Sequence, residues 1–176
     1  MNLVGATDPE HLAGHVQEAL QCVACAEVVE PIDASTLWVD VGSGGGLPGL
    51  VVAAIRPCPM VLIEPRERRA AFLDLGLASV GTAPGRVIRA RWSLSTWNEK
   101  VVSGLKSRSE TKFTVLSARA VFAPETWLQQ ARSVSIPRGI ILCHVESNAE
   151  QVDGKKPRAI VRGPSWAVMA YDTRQE

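Results

Sequence analysis

A chain of 176 residues, 46% hydrophobic and 21% charged, has the length of one domain and the composition of an ordinary globular protein, which excludes collagen, coiled coil and bulk disorder. The net charge of +1 hides a split: residues 1–55 hold seven acids and no Lys or Arg, while the rest holds all nineteen basic residues and eleven acids. Such a chain can turn a basic face to phosphates, or merely solvate its helix surfaces.

No apolar run reaches the ~18 residues of a membrane helix, because Arg56 stops Val51–Ile55 and His144 stops Ile140–Cys143. The first residues show neither the basic nor the apolar region of a secretory signal, so a cytoplasmic protein without membrane contact is expected. In that reducing compartment Cys22, Cys25, Cys58 and Cys143 would stay thiols.

Along the chain, Leu12, Val16, Ala19, Leu20 and Val23 recur at helical spacing, with Asp8 and Pro9 as N-cap and first helical position. Leu37–Val41 reads as a buried strand, Gly42–Gly49 as a glycine-rich turn, and about Pro48–Ile55 as a helix. Met60–Ile63 predicts a second strand and Arg66–Leu77 a helix. Val87-Ile88 and Phe113–Leu116 predict two more strands, separated by a polar and poorly periodic stretch, Leu94–Lys112. Ala123–Val134 reads as a helix, and a turn from Ile136 to Gly139 leads into a strand at Ile140–Val145. The alternation implies an α/β fold built on a mostly parallel sheet, and Ala159–Val161 with Ser165–Tyr171 predicts a terminal antiparallel pair. One domain is expected: a helical segment (1–34), a βα core (35–146) and a C-terminal β pair (147–176).

The strongest local signal is Asp40-Val41-Gly42-Ser43-Gly44-Gly45-Gly46-Leu47-Pro48-Gly49, directly after a strand. Glycines there let the backbone turn sharply and approach a ligand, and ligands of open parallel sheets lie beyond the carboxyl ends of the strands. Two cofactors compete. Gly44, Gly46 and Gly49 match the dinucleotide spacing, but that triplet begins late after the strand, whereas pyrophosphate needs its first glycine at the strand end. Asp40 would repel pyrophosphate and favour the cationic methionine moiety of S-adenosylmethionine, and Glu64, ending the second strand, can accept both ribose hydroxyls of either cofactor. A turn that only links strand to helix is the third possibility.

These residues resemble the RsmG (GidB) family, enzymes that use S-adenosylmethionine to methylate guanine N7 in bacterial 16S ribosomal RNA. The resemblance begins at Asn2-Leu3-Val4 with Asp8-Pro9, takes in His15, peaks at Asp40–Gly49, and continues through Arg56-Pro57, Glu64, Arg68-Arg69 with Phe72-Leu73, and Ala118-Arg119-Ala120. It implies a Rossmann-like class I methyltransferase fold with Gly42 and Leu47 against the cofactor, where the reading of the turn and strand ends adds Asp40, Ser43, Gly44, Gly46 and Glu64. It also implies the Trp92-Ser93 backbone near the adenine and Arg119 in the active site. The implied partner is 16S rRNA or the 30S subunit, met by a monomer without a metal. Members usually carry a helical extension before the Asn-Leu motif, at which this sequence starts; it departs from the family in having His144-Val145-Glu146 where members carry Leu-Lys-Gly, and in having Ser93 in place of an acid.

The residues are consistent with that chemistry. Guanine N7 has an in-plane lone pair and no proton to lose, so no general base is required and the task is positioning. Arg119 follows the fourth strand, where its planar fork suits a phosphate or the O6/N7 edge of guanine, and a surface ion pair is the alternative. Trp92 and Trp97 are candidates to receive an unstacked base, packing being the other reading. Arg66, Arg68, Arg69, Arg86, Arg89 and Arg91, with Lys155, Lys156 and Arg158, are candidates for phosphates, or for pairs along their helices. His11, His15, Cys22 and Cys25 have zinc-like spacings. On one helix the outer two stand about 21 Å apart, so buried thiols are the expected role. Two further outcomes stay open: a methyltransferase redirected to another substrate, and a silent module that binds the cofactor or RNA.

Overall fold

The computed structural model describes residues 8–80, 83–102, 111–134, 136 and 138–173. The Asn2-Leu3-Val4 motif, Pro137 and part of the polar stretch lie outside them. The elements run α1 (Pro9–Glu27), β1 (Thr36–Val41), α2 (Gly49–Ile55), β2 (Met60–Ile63), α3 (Glu67–Val80), β3 (Gly85–Ile88), α4 (Leu94–Thr96) with a π turn (Trp97–Val102), β4 (Phe113–Ala118), α5 (Pro124–Arg132), β5 (Gly139–Glu146), β6 (Ala159–Arg162) and β7 (Trp166–Asp172).

The seven strands lie in the order β3-β2-β1-β4-β5-β7-β6. Strands β1 to β5 pair in parallel, while β7 runs antiparallel to both β5 and β6. The expected α/β fold and terminal antiparallel pair are both present. Strand order reverses between β1 and β4, so the carboxyl ends of β1, β2 and β4 frame a crevice.

Every residue of β1 and β4 is buried, as a strand covered by helices on both faces must be. One face carries Trp38, Leu62, Val115 and Leu142 against Cys22, Cys25 and Ala26 of α1 and Val52 of α2. The other carries Val39, Val61, Leu116 and Ile141 against Trp127 and Leu128 of α5 and Trp97. Each such aliphatic side chain contributes roughly 1.5–3 kcal/mol by leaving water.

Helix α1 begins as the sequence predicts, with the Asp8 carboxylate accepting the Glu10 and His11 amides at 2.8 and 3.3 Å. Its buried face differs from the expected stripe. Ala19 and Val23 are buried with Cys22, Cys25 and Ala26, but Leu12 and Leu20 are each 45% exposed. The cause is steric: small side chains let the helix lie close to the sheet, and that contact turns the leucines outward. The charge split is partly resolved inside the molecule, since Glu18, Glu27 and Glu30 pair with Arg119, Arg56 and Arg138. No helix among the described residues is long and apolar enough to cross a membrane.

Candidate active site

The glycine turn folds onto the end of β2: the amides of Gly42 and Ser43 donate to the Ile63 carbonyl at 2.7 and 3.2 Å. Gly42 has φ +69°, and a Cβ there would stand 2.3 Å from Val121 Cγ2, so glycine is required both by the backbone and by the loop after β4 that lies on it. The Gly44 amide donates to Glu64 Oε2 at 3.0 Å, and the Arg66 amide to Oε1 at 2.9 Å. Glu64 is thereby held rigidly at the tip of β2, with lone pairs left for a diol.

A cleft of about 840 Å³ opens over this turn, bounded by Gly42, Ser43, Gly44 and Leu47, by Glu64, and by Arg66, Arg69, Arg91 and Arg119. Its size is that of a site for a small molecule. Six of the residues expected around the cofactor thus share its wall: Gly42, Ser43, Gly44, Leu47, Glu64 and Arg119.

The other four lie elsewhere. Asp40 is buried beneath the turn, where Oδ1 accepts from Ser117 Oγ at 2.7 Å and Ser117 Oγ accepts from Trp38 Nε1 at 2.9 Å. Its Oδ2 has no hydrogen-bond partner and lies beside Gly49, at the start of α2. Burial pushes its carboxyl up to about 6, against the opposing pull of the Ser117 hydrogen bond. Asp40 is not among the residues that line the cleft. Gly46 has φ +89° and faces Leu50, with no room for a Cβ. Trp92 packs edge-on against Trp97 and Trp127, with ring centroids 6.0 and 5.7 Å apart. Ser93 caps α4, accepting the Thr96 amide at 3.1 Å. Trp97, a candidate base receiver, is only 2% exposed and belongs to the core, because the π turn drives its ring under the sheet.

Arg119 follows β4 directly, with Ala120 behind it in the left-handed region at φ 55°. Its Nη2 contacts Glu18 Oε2 and lies 2.5 Å from His15 Nδ1, both on α1. The surface-ion-pair reading of this residue is therefore correct in kind, but the pair sits at the cleft and is only about one-fifth exposed. Of the other arginines, Arg86 donates to the carbonyls of Lys100 and Val101 and Arg89 pairs with Glu67. Arg158 pairs with Asp172 beside the start of β5, on the edge away from the cleft. The four zinc-like side chains diverge: His11 meets Asp8, His15 meets Arg119, Cys22 faces His144 at 3.4 Å, and Cys25 approaches the Val168 carbonyl. Among the described residues no cluster of three or more such groups could hold a metal.

Sequence reasoning passed over Glu18, whose position one helical turn after His15 was the available signal, and noted His144 only as a departure from the family pattern, because its neighbours come from distant segments. Burial and the Arg119 charge push His144 down to about 4, so it is neutral. Burial likewise pushes the facing Cys22 thiol up, so it is protonated.

A family model described as rRNA small subunit methyltransferase G, GidB, matches residues 1–165. The chain belongs to this family. A ribosomal RNA small subunit methyltransferase G of Salinispora tropica is 36% identical over 117 residues, 65% of this chain and 46% of that protein. Its namesake in Sphingopyxis alaskensis is 37% identical over 106 residues, 51% of this chain and 44% of that protein. The chain spans a little under half the length of these GidB relatives. Among solved structures, an RNA methyltransferase from Salinibacter ruber in complex with S-adenosyl-L-homocysteine superposes with TM-score 0.58 at 14% identity, covering 97% of this chain and 95% of that one. The rRNA methyltransferase aviRa of Streptomyces viridochromogenes gives 0.57 at 11% identity, covering 98% and 88%. These likenesses give the GidB chain the fold of S-adenosylmethionine-dependent methyltransferases. At the end of β5, Val145 stands where the family resemblance leads one to expect a lysine, and the neutral imidazole of the neighbouring His144 brings no cation there.

Proposed function

We propose that this chain transfers the methyl group of S-adenosylmethionine to guanine N7 of 16S rRNA, acting in the cytoplasm as a single-domain monomer on the small ribosomal subunit. The observation that carries this reading is the cleft itself, which joins the glycine turn, the Glu64 carboxylate and an arginine wall in one cavity. The residues suit the cofactor: the Glu64 oxygens retain lone pairs for the ribose hydroxyls, and a Cβ added at Gly44 would meet nothing nearer than 3.6 Å, so the turn stands open to the cleft. When bound, S-adenosylmethionine supplies an electrophilic methyl group on a sulfonium.

The chain's own residues then have separable tasks. Gly42, Ser43, Gly44 and Leu47 shape the floor, Glu64 orients the ribose, and Arg119 contacts the guanine edge or its phosphate. N7 carries no proton, so no side chain need act as a base, and holding the nucleophile in line at near-attack distance can supply several kcal/mol. Arg66, Arg69 and Arg91 have no ion pair among the described residues, whereas Arg119 is neutralised by Glu18. A cofactor that is itself cationic does not account for three such charges, and a polyanion does.

The test is incubation with radiolabelled S-adenosylmethionine and 30S subunits from cells lacking the corresponding enzyme, followed by mapping of label to guanine N7. Label there supports the reading. Bound cofactor without label on 16S rRNA rejects it, in favour of a redirected enzyme or a silent binding module.

A further inference from the structure

The carboxyl edge of the sheet carries a polar row on its α1 face. Ser117 stands opposite Asp40 in the β1–β4 register, Arg119 follows two residues later, and His144 extends from β5. Helix α1 answers with its own polar stripe, because His15, Glu18 and Cys22 lie at intervals of three and four and so share one face. The two rows meet in pairs: Cys22 with His144, and both His15 and Glu18 with Arg119.

We infer that Glu18, assisted by His15, is a positioning residue that fixes the Arg119 guanidinium at the cleft wall. This rests on the methyl-transfer reading only for its effect on turnover. An arginine side chain turns about several bonds, and an exposed one gives no defined direction to its fork. Arg119 Nη2 instead forms an ion pair with the Glu18 carboxylate and meets the His15 imidazole nitrogen, and the pair is largely screened from water, with the side chains 21% and 17% exposed. The bond to His15 requires an unprotonated Nδ1 as acceptor. A second constraint acts on the backbone: the left-handed turn at Ala120 sends Val121 back onto Gly42. An L-residue holds that conformation only where packing over-determines it. Glu18 itself is not among the residues that line the cleft. It removes the freedom of a residue that does, and α1 becomes part of the site although it contributes no strand-end residue.

The experiment pairs Glu18→Gln with Arg119→Gln and the double variant, and reads two independent signals in the whole chain. The first is the Nη resonances of Arg119 in a 15N-labelled sample. Slow rotation is expected in the native protein and averaging in Glu18→Gln, with cofactor affinity within two-fold. The second is turnover on 30S subunits. Glu18→Gln should lower kcat ten-fold or more with little change in cofactor KM, Glu18→Asp should recover part of the loss, and the double variant should be no worse than Arg119→Gln alone. Freely averaging Nη signals in the native protein overturn the inference without any variant having to fold. So does a Glu18→Gln protein with native kcat beside an impaired Arg119→Gln. A native protein that shows the fixed guanidinium, freed by Glu18→Gln, but no turnover rejects the methyl-transfer reading and leaves the positioning role supported.

Discussion

The Gly44 amide and the Glu64 carboxylate are joined by a hydrogen bond of 3.0 Å that ties the glycine turn after β1 to the tip of β2. With the Arg66 amide on the other oxygen, both acceptors of Glu64 are already engaged by backbone donors. Glu64→Gln would turn an amide NH₂ toward one of them. A cost of about 1–3 kcal/mol in stability is expected from the donor left unpaired. Affinity for S-adenosylmethionine, measured by calorimetry, should fall ten-fold or more, and native affinity would remove Glu64 from the ribose.

Gly42→Ala should be among the most damaging single-methyl additions in the chain. The new Cβ would lie 2.3 Å from Val121 Cγ2 at a backbone φ of +69°. Steric strain and backbone cost together should destabilise the protein by about 2–4 kcal/mol, read by urea unfolding. Adding Val121→Ala should recover the steric part and leave the backbone part. Equal loss with and without Val121 would contradict this geometry.

Two buried groups oppose one another in their response to pH. Asp40, raised from 3.8 to about 6 by burial, contributes stability that is complete below its unfolded value and fades as pH rises through 6. His144, lowered from 6.5 to about 4 by burial and then by the Arg119 charge, contributes stability that is complete above 6.5 and is lost as pH falls through 4. Each shift corresponds to roughly 3 kcal/mol, and over this window the two nearly cancel. Asp40→Asn should therefore make the protein acid-sensitive relative to wild type, and His144→Gln should make it gain stability on acidification. Unfolding free energies at pH 4.5 and 7 decide; parallel behaviour of all three proteins would refute the pairing.

Arg69 lines the cleft beside Gly44, whereas Arg89 is engaged with Glu67. Arg69→Gln should weaken binding to a 16S rRNA fragment and lower the slope of log K against log salt by about 1. Arg89→Gln should leave the slope closer to native. Titrations at several salt concentrations measure both, and an unchanged slope for Arg69→Gln would remove it from the phosphate contacts.

Much of the fold was legible because element type is a local property. Met60–Ile63 is a strand with the bounds its apolar run indicates, Asp8-Pro9 opens α1, and the glycine turn lies between β1 and α2. Each follows from periodicity, capping or backbone freedom within a few residues. The glycine wall of the cleft was legible for the same reason, since Gly42 to Leu47 are consecutive and Glu64 directly follows the next strand.

What the sequence by itself determined, then, is the βα alternation, the turn that marks the cleft, and the arginines available to it. Only the tertiary structure decided which faces meet. Asp40 looked like a cofactor carboxylate, yet the parallel register sets it opposite Ser117, under the turn and out of the cleft. Leu12 and Leu20 share the helical period of the buried residues, but the close approach of α1 through Ala19, Cys22 and Ala26 leaves them outside. Arg119 was visible at the end of β4, and its partner Glu18 was not. That pair joins positions 101 residues apart, brought together by the packing of a helix across a sheet edge, and no local period encodes such a contact.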